Sequence, residues 1–176
     1  MKRWYAGILA ALAIGAVVAA AAIAESGSSA PKAGEAAALR PPVANRPLFA
    51  VMRGKNEVNA VGKKRVGDPD GRGSFSAIVH DGRTICFGIT VTGIATPTAA
   101  HIHKGKRGKN GPIVVTLSTQ SGGNPGASSG CVDGDPALLS DIRKRSRRYY
   151  VNVHTGDFPD GALRGQLFHP TGSQDR

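Results

Sequence analysis

The chain opens on an almost unbroken apolar run, residues 4–24, and beyond residue 47 changes to short alternations of apolar and polar positions separated by turn residues. Alternation of period two marks strands with one buried face. Leu48-Phe49-Ala50-Val51-Met52 reads as a first strand. The turn Asp68-Pro69-Asp70-Gly71 launches a second, in which Phe75, Ala77 and Val79 share a face opposite Ser74, Ser76, Ile78 and His80. Asp81-Gly82 is a hairpin signal because both residue types tolerate the positive φ of a tight turn. It leads into Ile85, Phe87, Ile89 and Val91, alternating with Thr84, Cys86, Gly88, Thr90 and Thr92. Further strands are expected over 99–104, 113–117, 149–154 and 162–168, and 118–130, nearly all Ser, Gly, Thr, Asn and Pro, is expected as a mobile loop pinned at its end by Cys131. The one helix signal is Asp135 as N-cap with Pro136 at the first helical position. Many short strands with one short helix in the region 135–145 predict an all-β fold, an antiparallel β-sandwich or flattened barrel.

Length leaves room for one domain with appendages in 176 residues. Lys2 and Arg3 precede the apolar run, which closes on Ala22-Ile23-Ala24, a small-x-small pattern suited to cleavage before Glu25. Residues 1–24 are therefore expected to be a signal peptide and the protein to be exported, secreted or held at the cell envelope. The run is also long enough to act as an uncleaved anchor, and membrane contact is expected only there. Residues 25–47 hold too few large apolar side chains to offset the entropy of ordering and read as a disordered linker. The domain is expected over 48–169, with a polar tail at 170–176. In an exported chain the two cysteines, Cys86 and Cys131, read as a disulfide. Closing a loop of that length is worth roughly 4 kcal/mol in the chain-entropy model. Neither cysteine stands in the CxxC or CxH spacing of a metal site.

The formal net charge of +11 comes in clusters: Lys63, Lys64 and Arg65; Lys104, Lys106, Arg107 and Lys109; and Arg143, Lys144, Arg145, Arg147 and Arg148. A basic surface attracts polyanions, and outside the membrane these are phospholipid head groups, envelope polymers or acidic glycans. No aromatic residues interleave with the cations as base-stacking requires, so nucleic acid is not an expected partner. The last cluster also suits the negative pole of the preceding helix. Arg164 joins the candidate anion-binding cations, with a structural pairing to Asp157 or Asp160 as the alternative. Tyr150 and Phe158 are candidate surface anchors, with filling the ends of the sandwich as the favoured alternative.

The chemistry that singles itself out lies in Ala99-Ala100-His101-Ile102-His103-Lys104-Gly105. Side chains two apart on a strand share a face, so if Ile102 enters the core, His101 and His103 point away from it. His154 lies in a similar setting, opposite Tyr149, Val151 and Val153. Three imidazoles suit copper or zinc, and ordinary hydrogen bonding is the competing reading. No serine-histidine-acid or cysteine-histidine spacing supports a hydrolase. The cations at 104–109 would favour an anion beside the imidazoles, so two readings of one stretch compete.

The succession of Asp68-Pro69-Asp70-Gly71, the His101/His103 stretch, Gly111-Pro112-Ile113-Val114-Val115, Tyr150-Val151-Asn152-Val153-His154-Thr155 and Gly161-Ala162-Leu163-Arg164-Gly165-Gln166-Leu167 resembles the CHRD (chordin-type) domain, in its bacterial, exported form. The basic loop departs from the family, whose members more often carry small or acidic residues there. The family has no general enzymatic activity attached to it, and in animal chordin such domains belong to an extracellular protein that binds growth factors. The resemblance therefore implies a non-enzymatic binding module with an extracellular protein among its expected partners and no catalytic residues. A basic, adhesive surface protein binding anionic envelope polymers or membranes is the alternative. The His-x-His strand also resembles that of Cu/Zn superoxide dismutase, a Greek-key barrel, which makes a copper-dependent dismutase the remote alternative. His80 and His169, the remaining histidines, stand in no dismutase-like motif.

Overall fold

The computed structural model describes residues 46–170. The expected signal peptide, all but the end of the linker and the tail from 171 lie outside the described residues. The described residues form eight strands: β1 (Leu48–Arg53), β2 (Arg72–His80), β3 (Thr84–Thr92), β4 (Pro97–Lys104), β5 (Ile113–Leu117), β6 (Gly126–Asp133), β7 (Tyr149–Thr155) and β8 (Leu163–Gln166). One helix, α1 (Pro136–Lys144), separates β6 from β7.

All pairings are antiparallel, in the order β5-β4-β7-β8-β1-β2-β3-β6. Strands β1 to β3 form a meander, while β4–β5 and β7–β8 are hairpins. The sheet curls until its edges, β5 and β6, face each other across a seam. There the side chain of Gln120 donates to Ser128 Oγ at 3.0 Å, and Ser128 Oγ donates to the Ser118 carbonyl at 3.1 Å. A nearly closed barrel conceals most of its edges, which an isolated sheet would leave open to pairing.

The alternations of β2 and β3 hold: Phe75, Ala77, Val79, Ile85, Phe87, Ile89 and Val91 are all buried in the barrel. The hairpin between them turns through Asp81 (φ 50°) and Gly82 (φ 68°). Asp135 caps α1 by accepting from the Leu138 N–H at 2.8 Å, and Leu139 and Ile142 are the helix's buried positions. Asp141, on the same helix, binds the Tyr149 hydroxyl and Arg145. Among the described residues no helix is long and apolar enough to cross a membrane.

The expected loop at 118–130 is corrected in its second half, because β6 begins at Gly126. Its Gly- and Ser-rich sequence lacks an apolar face. What makes it a strand is its pairing with β3, where Cys86 lies directly opposite Cys131 and is bonded to it. Strand β7 departs from expectation in another way. Tyr149, Val151 and Val153 face the core, yet Tyr150 and Asn152 on the outer face are buried as well. Loop 105–112 folds across that face, tied down where the Gly105 N–H donates to the Arg148 carbonyl at 2.7 Å.

A candidate metal centre on the outer face of the sheet

Strand register places the histidines before any side-chain detail is considered. On β4 and β7, Ala99 pairs with His154, His101 with Asn152 and His103 with Tyr150. Paired residues of antiparallel strands project to one face, so all three imidazoles share the outer side, with Ile102 buried on the other. One ring nitrogen from each of His101, His103 and His154 lies within 4.8 Å of the others.

The hydrogen bonds decide which nitrogens are free. His103 Nδ1 lies 2.9 Å from the Gly111 carbonyl and His154 Nδ1 lies 2.8 Å from the Pro159 carbonyl. A carbonyl can only accept, so both Nδ1 atoms carry the proton and both Nε2 atoms present a lone pair. His101 Nδ1 stands 3.2 Å from His154 Nε2. Two nitrogens bound at zinc distances in tetrahedral array are about 3.3 Å apart, so this spacing already matches a ligand edge. His103 Nε2 is buried without a partner, and so is the Oδ1 of Asn152, which faces it closely enough to bear on its protonation. Two acceptors turned toward one place with no proton between them is an arrangement that a cation satisfies.

Burial favours the neutral form of two of these rings, His101 and His103. Burial lowers His101 to about 4, helped by the neighbouring His154 and His103. Burial also lowers His103, opposed by the Gly111 carbonyl and by the nearby Asn152 side chain. Neutral imidazoles are the form that binds metals. Gly111 makes the second contact possible, because a Cβ there would fall 1.7 Å from the Lys104 carbonyl oxygen. His80 pairs with Asp81, while His169 spans the carbonyls of Pro47 and Arg143, so neither joins the cluster.

Beside the trio the His103 ring stacks on Tyr150 at 4.8 Å between centroids, and the Arg164 guanidinium covers the same tyrosine at 3.4 Å. Arg164 is not a surface cation, being 2% exposed. It donates to Asn110 Oδ1 at 2.8 Å and to the carbonyls of Lys106 and Lys109 at 3.2 and 2.6 Å. Its acidic neighbour is Glu57, at 4.0 Å, in place of Asp157 or Asp160. Burial pushes Glu57 up to about 8 in spite of that guanidinium. Gly161 lets the carboxyl in, since its φ of 133° suits glycine and a Cβ would lie 2.6 Å from Glu57 Cδ. Tyr150, a candidate surface anchor by sequence, is 2% exposed and forms the middle of this stack. Phe158 is partly buried against the core.

The remaining cations are at the surface. Lys104, Lys106, Arg107, Lys109, Lys144, Arg145, Arg147 and Arg148 are exposed, and Arg143 is half-buried. Sequence reasoning missed Glu57 and Asn110. The available signal for Glu57 was its place as the one acid among Lys55, Lys63, Lys64 and Arg65.

An all-β, nearly closed barrel with a histidine cluster on its outer face is thus the class this structure defines. The sequence model of the CHRD domain matches residues 48–167, and the chain belongs to that family. No curated protein matches it. The disulfide and the CHRD domain are compatible with an extracellular protein.

Proposed function

We propose that this CHRD domain works outside the cytoplasm as a non-enzymatic binding module that holds a copper or zinc ion on His101, His103 and His154. One observation carries the reading. His103 and His154 each give their Nδ1 proton to a main-chain carbonyl and turn Nε2 toward a shared space. This is the supporting bond that metal-ligating histidines ordinarily make, and it sets both tautomer and ring orientation. His101 completes the set by carrying its one ring proton on Nε2 in place of Nδ1, which frees Nδ1 for the ion. Protonation of the ring nitrogens competes with the ion, so affinity should fall as pH falls. Three neutral nitrogen donors without a carboxylate suit copper or zinc over magnesium or calcium. The stack of Tyr150 against His103 supports a rigid site, because a ring held on its face cannot swing away from the ion.

Titration of Cu(II) and of Zn(II) into the purified, untagged protein, followed by calorimetry and elemental analysis, tests the assignment. One ion per chain is expected, with binding lost when His101→Ala and His103→Ala are combined. An isotherm unchanged in that double variant refutes it.

A further inference from the structure

The three basic clusters, separate in sequence, meet around Arg107. Lys55, Lys64, Arg107, Gly108 and the buried Arg164 are among the residues that line a cavity of about 330 Å³ between the turn Gly54–Asn56, the segment at Val58 and Lys64, and loop 105–112. On its other side Arg107 lines a second hollow with Arg147. No acidic residue lines the first cavity, and among the described residues none of Lys55, Lys64 and Arg107 forms an ion pair. Like charges that converge without a counterion repel one another, and an anion relieves that repulsion.

The walls are built, which separates this place from a merely basic surface. Arg164 holds the carbonyls of Lys106 and Lys109 from below and so fixes the loop on either side of Arg107. Asn110 Nδ2 donates to the Val58 carbonyl at 2.8 Å, tying that loop to the segment that carries Lys64. Val58 itself forms a β-bridge with Lys64. Two exposed cations, Lys64 and Arg107, are thereby mounted on backbone that partly buried hydrogen bonds hold in place, and less ordering entropy remains to be lost on binding.

We propose that this cavity binds a small phosphomonoester, a phosphate carried on a sugar- or glycerol-sized group, through Lys55, Lys64 and Arg107. Such a group carries between one and two negative charges at neutral pH and three strong acceptor oxygens, which matches three cations. The guanidinium of Arg107 can take two of those oxygens in parallel, while the two lysines act as point charges. A cavity of about 330 Å³ sits at the small end of ligand sites and suits a small ligand. None of these residues belongs to the histidine trio, so the site stands or falls independently of the metal.

The test is calorimetric titration of glycerol phosphate into metal-free protein, with inorganic sulfate and phosphatidylglycerol vesicles as parallel arms. Saturable binding to glycerol phosphate is expected, weakened about tenfold or more in Lys64→Ala combined with Arg107→Ala, as loss of two charge-assisted hydrogen bonds implies. Arg83→Ala combined with Lys144→Ala removes the same charge elsewhere and should bind as the parent does. Equal weakening by both pairs, sulfate binding as tight as glycerol phosphate, or binding to vesicles alone would each overturn the site.

Discussion

The Tyr150 ring divides two buried polar clusters that meet the same physical problem in different ways. Toward β4 lies His103 with its imidazole neighbours, and toward β8 lies Arg164 with Glu57. Burial penalises charge on both sides. His101 and His103 answer by favouring the neutral form, His101 being lowered to about 4, and Glu57 does so by moving up to about 8. The guanidinium keeps its charge because its ordinary range lies far above neutrality and its protons are spread over Asn110, two carbonyls and a ring face. One side is therefore short of protons and the other holds its loop with them, which is why a cation suits the first.

The largest effect is expected where the charge is retained. Arg164→Ala strands Asn110 and the carbonyls of Lys106 and Lys109 together, and urea unfolding should show a loss of about 3 kcal/mol, roughly 1 kcal/mol for each acceptor left without its donor. Arg164→Lys should recover only part of it, since a point charge cannot serve three acceptors in fixed directions. Full recovery by lysine would mean that the guanidinium fork is unimportant.

The two sides should then separate by the sign of their pH dependence. The folded-state pKa of Glu57 is about 8, above its ordinary 4.5, so the folded form binds the extra proton. Its contribution is complete below the unfolded value and is lost as pH rises through about 8. The folded-state pKa of His101 is about 4, below its ordinary 6.5, so its contribution is complete above the unfolded value and is lost as pH falls toward 4. Urea midpoints of the metal-free protein should accordingly fall on both sides of mildly acidic pH. Glu57→Gln should flatten the alkaline limb alone, and His101→Phe the acid limb alone. A variant that flattened both limbs would show the clusters to be coupled through Tyr150.

The smallest effect concerns the divider. Tyr150→Phe keeps both stacked contacts and should cost under about 1 kcal/mol, the worth of one hydroxyl bond. Tyr150→Leu removes the ring and should cost about 1 kcal/mol more. If phenylalanine behaved like leucine in thermal unfolding, the hydroxyl and not the ring would be what matters.

Legibility followed the range of the physics. The alternations of β2 and β3, the Asp81-Gly82 hairpin and the Asp135 cap depend on neighbours within a few residues, and each is where its sequence puts it. The Ser- and Gly-rich stretch of β6 was illegible because its partner β3 and the bridge from Cys86 to Cys131 supply what its composition lacks. Arg164 was legible as a cation but not as a buried one. Its acceptors on Lys106, Lys109 and Asn110 lie more than fifty positions away, and no local pattern reports them.

By itself, then, the sequence determined an all-β chain with a cysteine pair, a family signature and histidines two apart on one strand, since periodicity and turn chemistry are local. Tertiary structure decided the rest. The register of β4 on β7 brought His154 beside His101, and the Gly111 and Pro159 carbonyls chose the tautomers. The fold of loop 105–112 over Arg164 set Arg107 at a cavity that none of the three imidazoles lines. Strand register and loop closure are long-range, and only the packed chain sets them.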